Sequence, residues 1–186
     1  MPRAGLNSDR VIDTACRMLD EQEVDELSIA SLADRLGVRP PSLYKHVDGM
    51  AGLRRGIMLH AKTDLARTLA PTAVGRSRDD AVRSMAPAYR AWAKDHPARY
   101  LLTTRTPAPG DTEDEEVSAR LADIIYAIVA GYEIDGDDLI DATRFLRSAL
   151  HGFVELETSG AFGLPRNVER SFDRVVDSIT TALANW

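Results

Sequence analysis

Residues 28–47 read Ser28-Ile29-Ala30-Ser31-Leu32-Ala33-Asp34-Arg35-Leu36-Gly37-Val38-Arg39-Pro40-Pro41-Ser42-Leu43-Tyr44-Lys45-His46-Val47, and this stretch decides how the chain is organised. Ser28 can cap a helix whose apolar side carries Ile29, Leu32, Ala33 and Leu36. Gly37 then ends that helix in a tight or left-handed turn without a Cβ penalty. Pro40 and Pro41 lack amide donors and fit only the first turn of a helix, so a short one is expected from Pro40 to about His46. Two short helices around a glycine turn make a helix-turn-helix. Ala33 is small where the two cross, and Leu36, Val38 and Leu43 can fill the angle between them. Arg39, Ser42, Tyr44, Lys45 and His46 are left to project, offering donors to phosphates and base edges and one aromatic ring. A plain helical hairpin with a polar outer face has the same periodicity, so periodicity alone leaves both readings open.

The flanking segments also carry helical spacing. Val11, Ile12, Ala15, Met18 and Leu19 form one stripe, capped by Asn7 or Ser8 with Asp9 suited to the helix dipole. A longer helix is expected from about Asp48 through Leu69, with Leu53, Ile57 and Leu65 inward and Pro71 and Gly75 closing it. Further helices are expected over Arg78–Asp95, from Pro97 through Leu102, and from the acidic run 111–116 to Gly131. Two more are expected at about Asp137–Thr158 and Asn167–Asn185. No strand alternation of useful length, internal repeat or low-complexity tract interrupts this pattern. The expected fold is all-α, with a helix-turn-helix unit over residues 1–48 and a helical bundle over 49–186.

With 186 residues, 44% of them apolar, the chain can bury a substantial core. No apolar run approaches the roughly 18–20 residues of a membrane span, and the opening residues lack a secretory apolar stretch, so a soluble, cytoplasmic protein without membrane contact is expected. The single cysteine, Cys16, excludes an intrachain disulfide and reads as a small residue near the first helix's stripe. The formal charge of −6 excludes nucleic-acid binding by bulk positive charge. Residues 1–60 carry eight Lys/Arg and nine Asp/Glu, a balance of −1, which leaves −5 for residues 61–186. Contact with a polyanion would have to come from a few well-placed basic groups.

The order of residue types from Ser28 to Val47, followed by Leu53, resembles the signature of the TetR family, most specifically in Leu43-Tyr44-Lys45-His46-Val47. The Val11–Ala15 helix, a short distance upstream, is similar to that family's first helix. The resemblance implies a transcriptional regulator: a homodimeric repressor on a palindromic double-stranded DNA operator, released by a small-molecule effector, with the helix of residues 40–46 in the major groove. It places Arg39, Pro40, Pro41, Ser42, Tyr44, Lys45 and His46 at the DNA, with Tyr44 and His46 on phosphates and Ser28 on a phosphate at the preceding helix start. Where the family often has a phosphate-binding lysine this chain has Met50, leaving that anchor absent or supplied by Arg54 or Arg55. A helical adaptor or ligand-binding protein that keeps the fold without binding DNA is the alternative.

The C-terminal half resembles the family's WxxxHG subtype through Phe145–Glu157 and Gly160–Phe162, with Arg147 standing in the Trp position, and through Trp92–Pro97. An effector pocket is expected among Tyr89, Trp92, His96, Tyr100, Tyr126, Phe145 and His151, which combine apolar bodies with polar tips. The apolar faces of the last two helices imply dimerisation through Ala149, Phe153, Leu156, Phe172, Val176, Ile179 and Leu183, although each face must also serve the chain's own core. The four dispersed histidines have no metal-ligand spacing, and no nucleophile elbow, P-loop or dinucleotide fingerprint is present. Asp135 to Asp141 does not fit a calcium loop. No metal, cofactor or catalytic residue is therefore expected.

Overall fold

The computed structural model describes residues 5–21 and 27–186, and among these the chain forms nine α-helices with no strand. They are α1 (Ser8–Asp20), α2 (Ile29–Leu36), α3 (Pro40–Leu43), α4 (Gly49–Ala73), α5 (Arg78–Asp95), α6 (Pro97–Tyr100), α7 (Thr112–Ala130), α8 (Gly136–Thr158) and α9 (Val168–Ala184). A 3₁₀ turn over Leu101–Thr104 extends α6. None of these helices is long and apolar enough to cross a membrane.

Local chemistry explains most of the boundaries. Asn7 caps α1 by accepting the Arg10 amide, while the Ser8 hydroxyl donates to the His46 carbonyl at 3.0 Å and so docks α1 on the end of the helix-turn-helix. Ser28 and Ser31 form a reciprocal capping box at the start of α2, each side chain accepting the other's amide at 3.1 Å. Gly37 closes α2 at φ 68°, where its amide bonds Asp34 and that of Val38 reaches the Ala33 carbonyl. Two lengths differ from expectation. Regular helix in α3 stops at Leu43, and the Leu43 carbonyl then receives both the His46 and Val47 amides in a closing turn. Helix α4 continues past Pro71 to Ala73, because a proline so near a helix end forfeits only one amide donor.

Two apolar cores result. Val11, Ala15, Leu32, Leu43, Val47, Leu53 and Ile57 belong to the first. The second gathers Leu65, Leu69, Val82, Met85, Ile128, Leu146, Leu150, Phe172 and Ile179 from α4, α5, α7, α8 and α9. Helix α4 thus runs through both. Its approach to α1 depends on Gly56, where a Cβ would sit 2.3 Å from Ile12 Cδ1.

Between the cores, polar groups fasten α4 to its neighbours. Lys62, fully buried, spends its three N–H bonds on Asp114 Oδ1 at 2.6 Å, the Arg105 carbonyl at 2.8 Å and Ser118 Oγ at 2.9 Å. Two turns earlier Arg55 is bidentate to Asp111 and also bonds Glu113, so the acidic start of α7 answers α4 as well as its own helix dipole. On another side of α4, Arg99 of α6 forks onto Asp20 of α1, donates to His96, and stacks on Trp92, whose indole N–H bonds Asp64. Cys16 lies beside this group, and burial pushes its thiol up to about 12, which keeps it an unreactive apolar side chain.

Two outcomes test this arrangement. Lys62→Ala or Asp114→Ala strands one buried charge and should cost about 3–5 kcal/mol of unfolding free energy, whereas Lys62→Met with Asp114→Leu should be near neutral. Urea denaturation of the single and double variants measures both. Arg55 and the Asp114 amide hold the Asp111 carboxyl at about 2, below its ordinary 3.8. The contribution of this ion pair is therefore complete above about pH 4 and lost as pH falls through 2, which amide exchange over residues 112–116 should show as an acid-induced loss of protection.

Candidate functional site

The side chains of residues 39–46 divide by depth. Leu43 is completely buried and Val47 nearly so, which clamps this short segment onto α1, α2 and α4. Arg39, Pro40, Pro41, Tyr44 and Lys45 all lie exposed, and Tyr44, at 60%, is one of the chain's most exposed large apolar side chains. An aromatic ring held in water by a buried leucine next to it in sequence is a presented group, because no intrachain contact needs it there. Ser42 and His46 are half-buried, and His46 lines a groove between α1 and α4 that also holds Ser8, Asp13 and His60. Five of the eight residues read as DNA contacts therefore share one outward surface, with Ser42 and His46 at its edge. The eighth, Ser28, has its hydroxyl engaged with Ser31, so its place at this surface is that of a helix cap.

Met50 is half-buried against the first core. Of the two arginines that could replace a lysine there, Arg55 is committed to Asp111 and Glu113, while Arg54 stays exposed. The sequence could not show that commitment, since Arg55 and Asp111 are 56 residues apart.

A cavity of about 500 Å³ opens among α4, α5, α7, α8 and the segment after the 3₁₀ turn. Leu65, Leu69, Leu121 and Ile125 supply apolar wall, while Tyr89, Tyr126, Arg105, Arg147 and Ser118 supply polar tips. Of the seven residues expected to line a pocket, Tyr89 and Tyr126 do so. Tyr100 lies one layer behind, with its hydroxyl 2.8 Å from that of Tyr89 and 2.6 Å from His151 Nδ1. Burial raises the pKa of both phenols and keeps them protonated. Trp92 and His96 belong to the Arg99 group, and Phe145 packs on Trp186, so these three lie away from the cavity wall. Arg105, Ser118 and Arg147 are wall residues that sequence reasoning passed over. The one signal was Arg147, an arginine where a tryptophan was expected.

The residues read as a dimer surface also separate by depth. Phe172, Val176, Ile179 and Leu183 are all buried in the chain's own second core, packed on α5 and α8, and Ala149 and Phe153 are half-buried against it. Leu156 alone of the seven is exposed. The apolar side chains left uncovered on this side are Ile140, Leu156, Phe162, Leu164 and Trp186, with Leu164 at 81%. A helix stripe read from sequence shows that a face is buried, not whether its partner lies in the same chain.

Comparison with known proteins bears on both halves. Residues 82–179 match the profile described as Tetracyclin repressor-like, C-terminal domain. An uncharacterized HTH-type transcriptional regulator of Mycobacterium tuberculosis is 40% identical over 158 residues, covering 84% of this chain and 72% of that protein. In fold, the chain is similar to BioQ crystallised with its double-stranded DNA operator (TM-score 0.69, 18% identity, 97% of this chain and 99% of that one). It is also similar to ActR of Streptomyces coelicolor in complex with (S)-DNPA (TM-score 0.72, 18% identity, 97% and 98%). The helix-turn-helix over α2 and α3, the bundle behind it and a family match across more than half of the sequence lead to one conclusion: the chain belongs to the TetR family of HTH-type transcriptional regulators.

Proposed function

We propose that this regulator is a dimeric repressor that binds a palindromic operator through the outward surface of residues 39–46 and is released when a small molecule fills the cavity behind α4. The observation that carries the reading is Tyr44, held 60% exposed by the fully buried Leu43 beside it and flanked by Lys45 and Arg39. Pro40 and Pro41 set the first turn of α3 so that this face enters a major groove, with Tyr44 and His46 toward phosphates and the residues before Leu43 toward bases. Arg54, not Arg55, takes the anchoring role that Met50 vacates. The DNA-binding unit is residues 1–48, with the first turns of α4 completing its core. The protein works in the cytoplasm, as an operator-binding regulator without catalysis. The operator named for BioQ and the ligand named for ActR, both on this fold, support the reading.

Coupling runs through α4. This helix carries Leu53 and Ile57 in the first core and Leu65 and Leu69 at the cavity wall, and Lys62 between them holds Arg105 and Ser118, two further wall residues. A ligand that moves the α7 wall therefore pulls on α4 and changes the separation of the two recognition helices in a dimer. It releases DNA only as far as it binds the off-DNA state more tightly. Dimerisation uses the outer face of α8 and the loop before α9, where Ile140, Leu156, Phe162 and Leu164 are uncovered, and brings α8 and α9 of both copies into a four-helix arrangement.

Tyr44→Ala and Lys45→Ala should each weaken binding to DNA from the protein's own promoter region by about tenfold, with helicity and mass in solution unchanged. Mobility-shift titration measures this, and unaltered affinity in both variants overturns the assignment of the reading surface. Wild-type affinity should also fall steeply between about 50 and 200 mM salt as phosphates release counterions; a salt-independent interaction points to the adaptor reading. Light scattering should give twice the 20.4 kDa chain mass, and Leu156→Glu should give a folded monomer. A dimer in that variant moves the interface elsewhere.

A further inference from the structure

We infer that the proton on His151 sets, through Tyr100, whether Tyr89 offers the cavity a hydrogen or a lone pair. An apolar ligand carrying an acceptor oxygen then binds tightest when His151 is protonated. The inference rests on the reading of this cavity as the effector site and adds the ligand's polar group and the proton that governs its binding.

Tyr89 of α5, Tyr100 of α6 and His151 of α8 form one hydrogen-bonded chain. The Tyr89 and Tyr100 hydroxyls lie 2.8 Å apart, and the Tyr100 hydroxyl is 2.6 Å from His151 Nδ1. Ring packing holds all three in place: Tyr89 meets Tyr100 edge-on at 5.7 Å, and Tyr100 lies 5.4 Å from the His151 ring. Tyr100 is 1% exposed, so its hydroxyl has no water to turn to and its single proton goes to one neighbour or the other. Of the three only Tyr89 lines the cavity, and among the described residues Tyr100 is the one partner of its hydroxyl. The bonding capacity left on Tyr89 belongs to whatever the cavity holds.

The chain has two directions, and they are all-or-none. When His151 accepts at Nδ1, Tyr100 donates to it, Tyr89 donates to Tyr100, and the cavity meets only the Tyr89 lone pairs. When Nδ1 carries a proton it can only donate. Tyr100 then accepts and turns its own proton to Tyr89, and Tyr89 gives its proton to the cavity. A neutral imidazole allows both directions through its two tautomers, whereas the imidazolium allows the second alone. A ligand oxygen that accepts from Tyr89 therefore favours the protonated ring, and by linkage the protonated ring favours the ligand. Leu65, Leu69, Leu121 and Ile125 take up the apolar remainder. Around His151 stand Arg147 and Glu155, of opposite sign, one turn before and after it on α8, and Tyr89 and Tyr100 from α5 and α6. Across the cavity stand Arg105 and, from α7, Glu115, Asp123 and Tyr126. Histidine is the one residue type among these whose ordinary titration falls between about pH 5.5 and 8.

The test uses the full chain and two uncharged fluorescent probes of one skeleton. One is 6-propionyl-2-(dimethylamino)naphthalene, whose carbonyl accepts hydrogen bonds, and the other is 2-(dimethylamino)naphthalene, which lacks that group. The carbonyl probe should bind about three- to tenfold tighter at about pH 5.5 than at about pH 8, its affinity falling as pH rises through the His151 titration. The parent should change by less than about twofold. Tyr100→Phe cuts the chain and His151→Gln removes the titrating ring, so each should flatten the dependence while circular dichroism stays helical. Tyr89→Phe should hold the carbonyl probe at its weaker, high-pH affinity throughout. In nitrogen-15 spectra of histidine-labelled protein, the carbonyl probe should also move the His151 titration to higher pH. A dependence that survives Tyr100→Phe, runs in the opposite sense, appears equally with both probes or is absent overturns the proton chain while leaving the cavity as the effector site. Ala122→Trp, which fills the cavity from its α7 wall, should displace both probes. Binding that it leaves unaltered, or no binding of either probe, overturns the cavity reading itself.

Discussion

The buried contact between Lys62 and Asp114 is the constraint on which the rest of this molecule depends. An ammonium and a carboxylate taken out of water are costly, and the cost is offset only because each finds further partners: the Arg105 carbonyl and Ser118 for Lys62, and Ser118 again for Asp114. A pair of leucines would fill the space as well. The polar version differs in being directional, since it fixes one rotation of α4 against α7 and one path for the chain leaving the 3₁₀ turn. Arg55 repeats the tie near the helix-turn-helix, so the acidic start of α7 is held at two heights on the same helix.

From that constraint follows the mechanical character of the fold. Helix α4 cannot shift in one core without disturbing the other, because Leu53 and Leu65 stand on either side of Lys62 on one rigid rod. Arg99 does for α1 what Lys62 does for α7: it spans from the bundle to Asp20 at the end of α1, with His96, Asp64 and Trp92 around it. The two halves meet through oriented ion pairs as well as apolar contacts. Such a joint favours discrete arrangements over continuous bending.

Much of this was legible in the chain itself. Ser28, Gly37 and the Pro40-Pro41 pair act within a turn or two of their own position, so α2, the turn and α3 could be read directly. The helical spacing likewise placed all the long helices to within a few residues. The outward face of residues 39–46 followed, because alternation of buried and projecting positions on a short helix is fixed by helix geometry. The cavity was harder. Tyr89 and Tyr126 were found from composition, but Tyr100, Trp92, His96 and Phe145 share the same chemistry and lie behind or away from the wall.

The amino-acid sequence by itself determined the helices, their order and the outward face of residues 39–46, since caps, prolines and 3.6-residue periodicity are local. Only the tertiary structure decided what each apolar or charged face meets. Phe172, Val176, Ile179 and Leu183 turned out to complete the chain's own core, Arg55 to be held by Asp111 and Glu113, and Arg147 to line a cavity. The physical reason is common to all three. Periodicity reports that a side of a helix is occupied, whereas the occupant comes from residues far away in the chain, brought near only when the whole bundle closes.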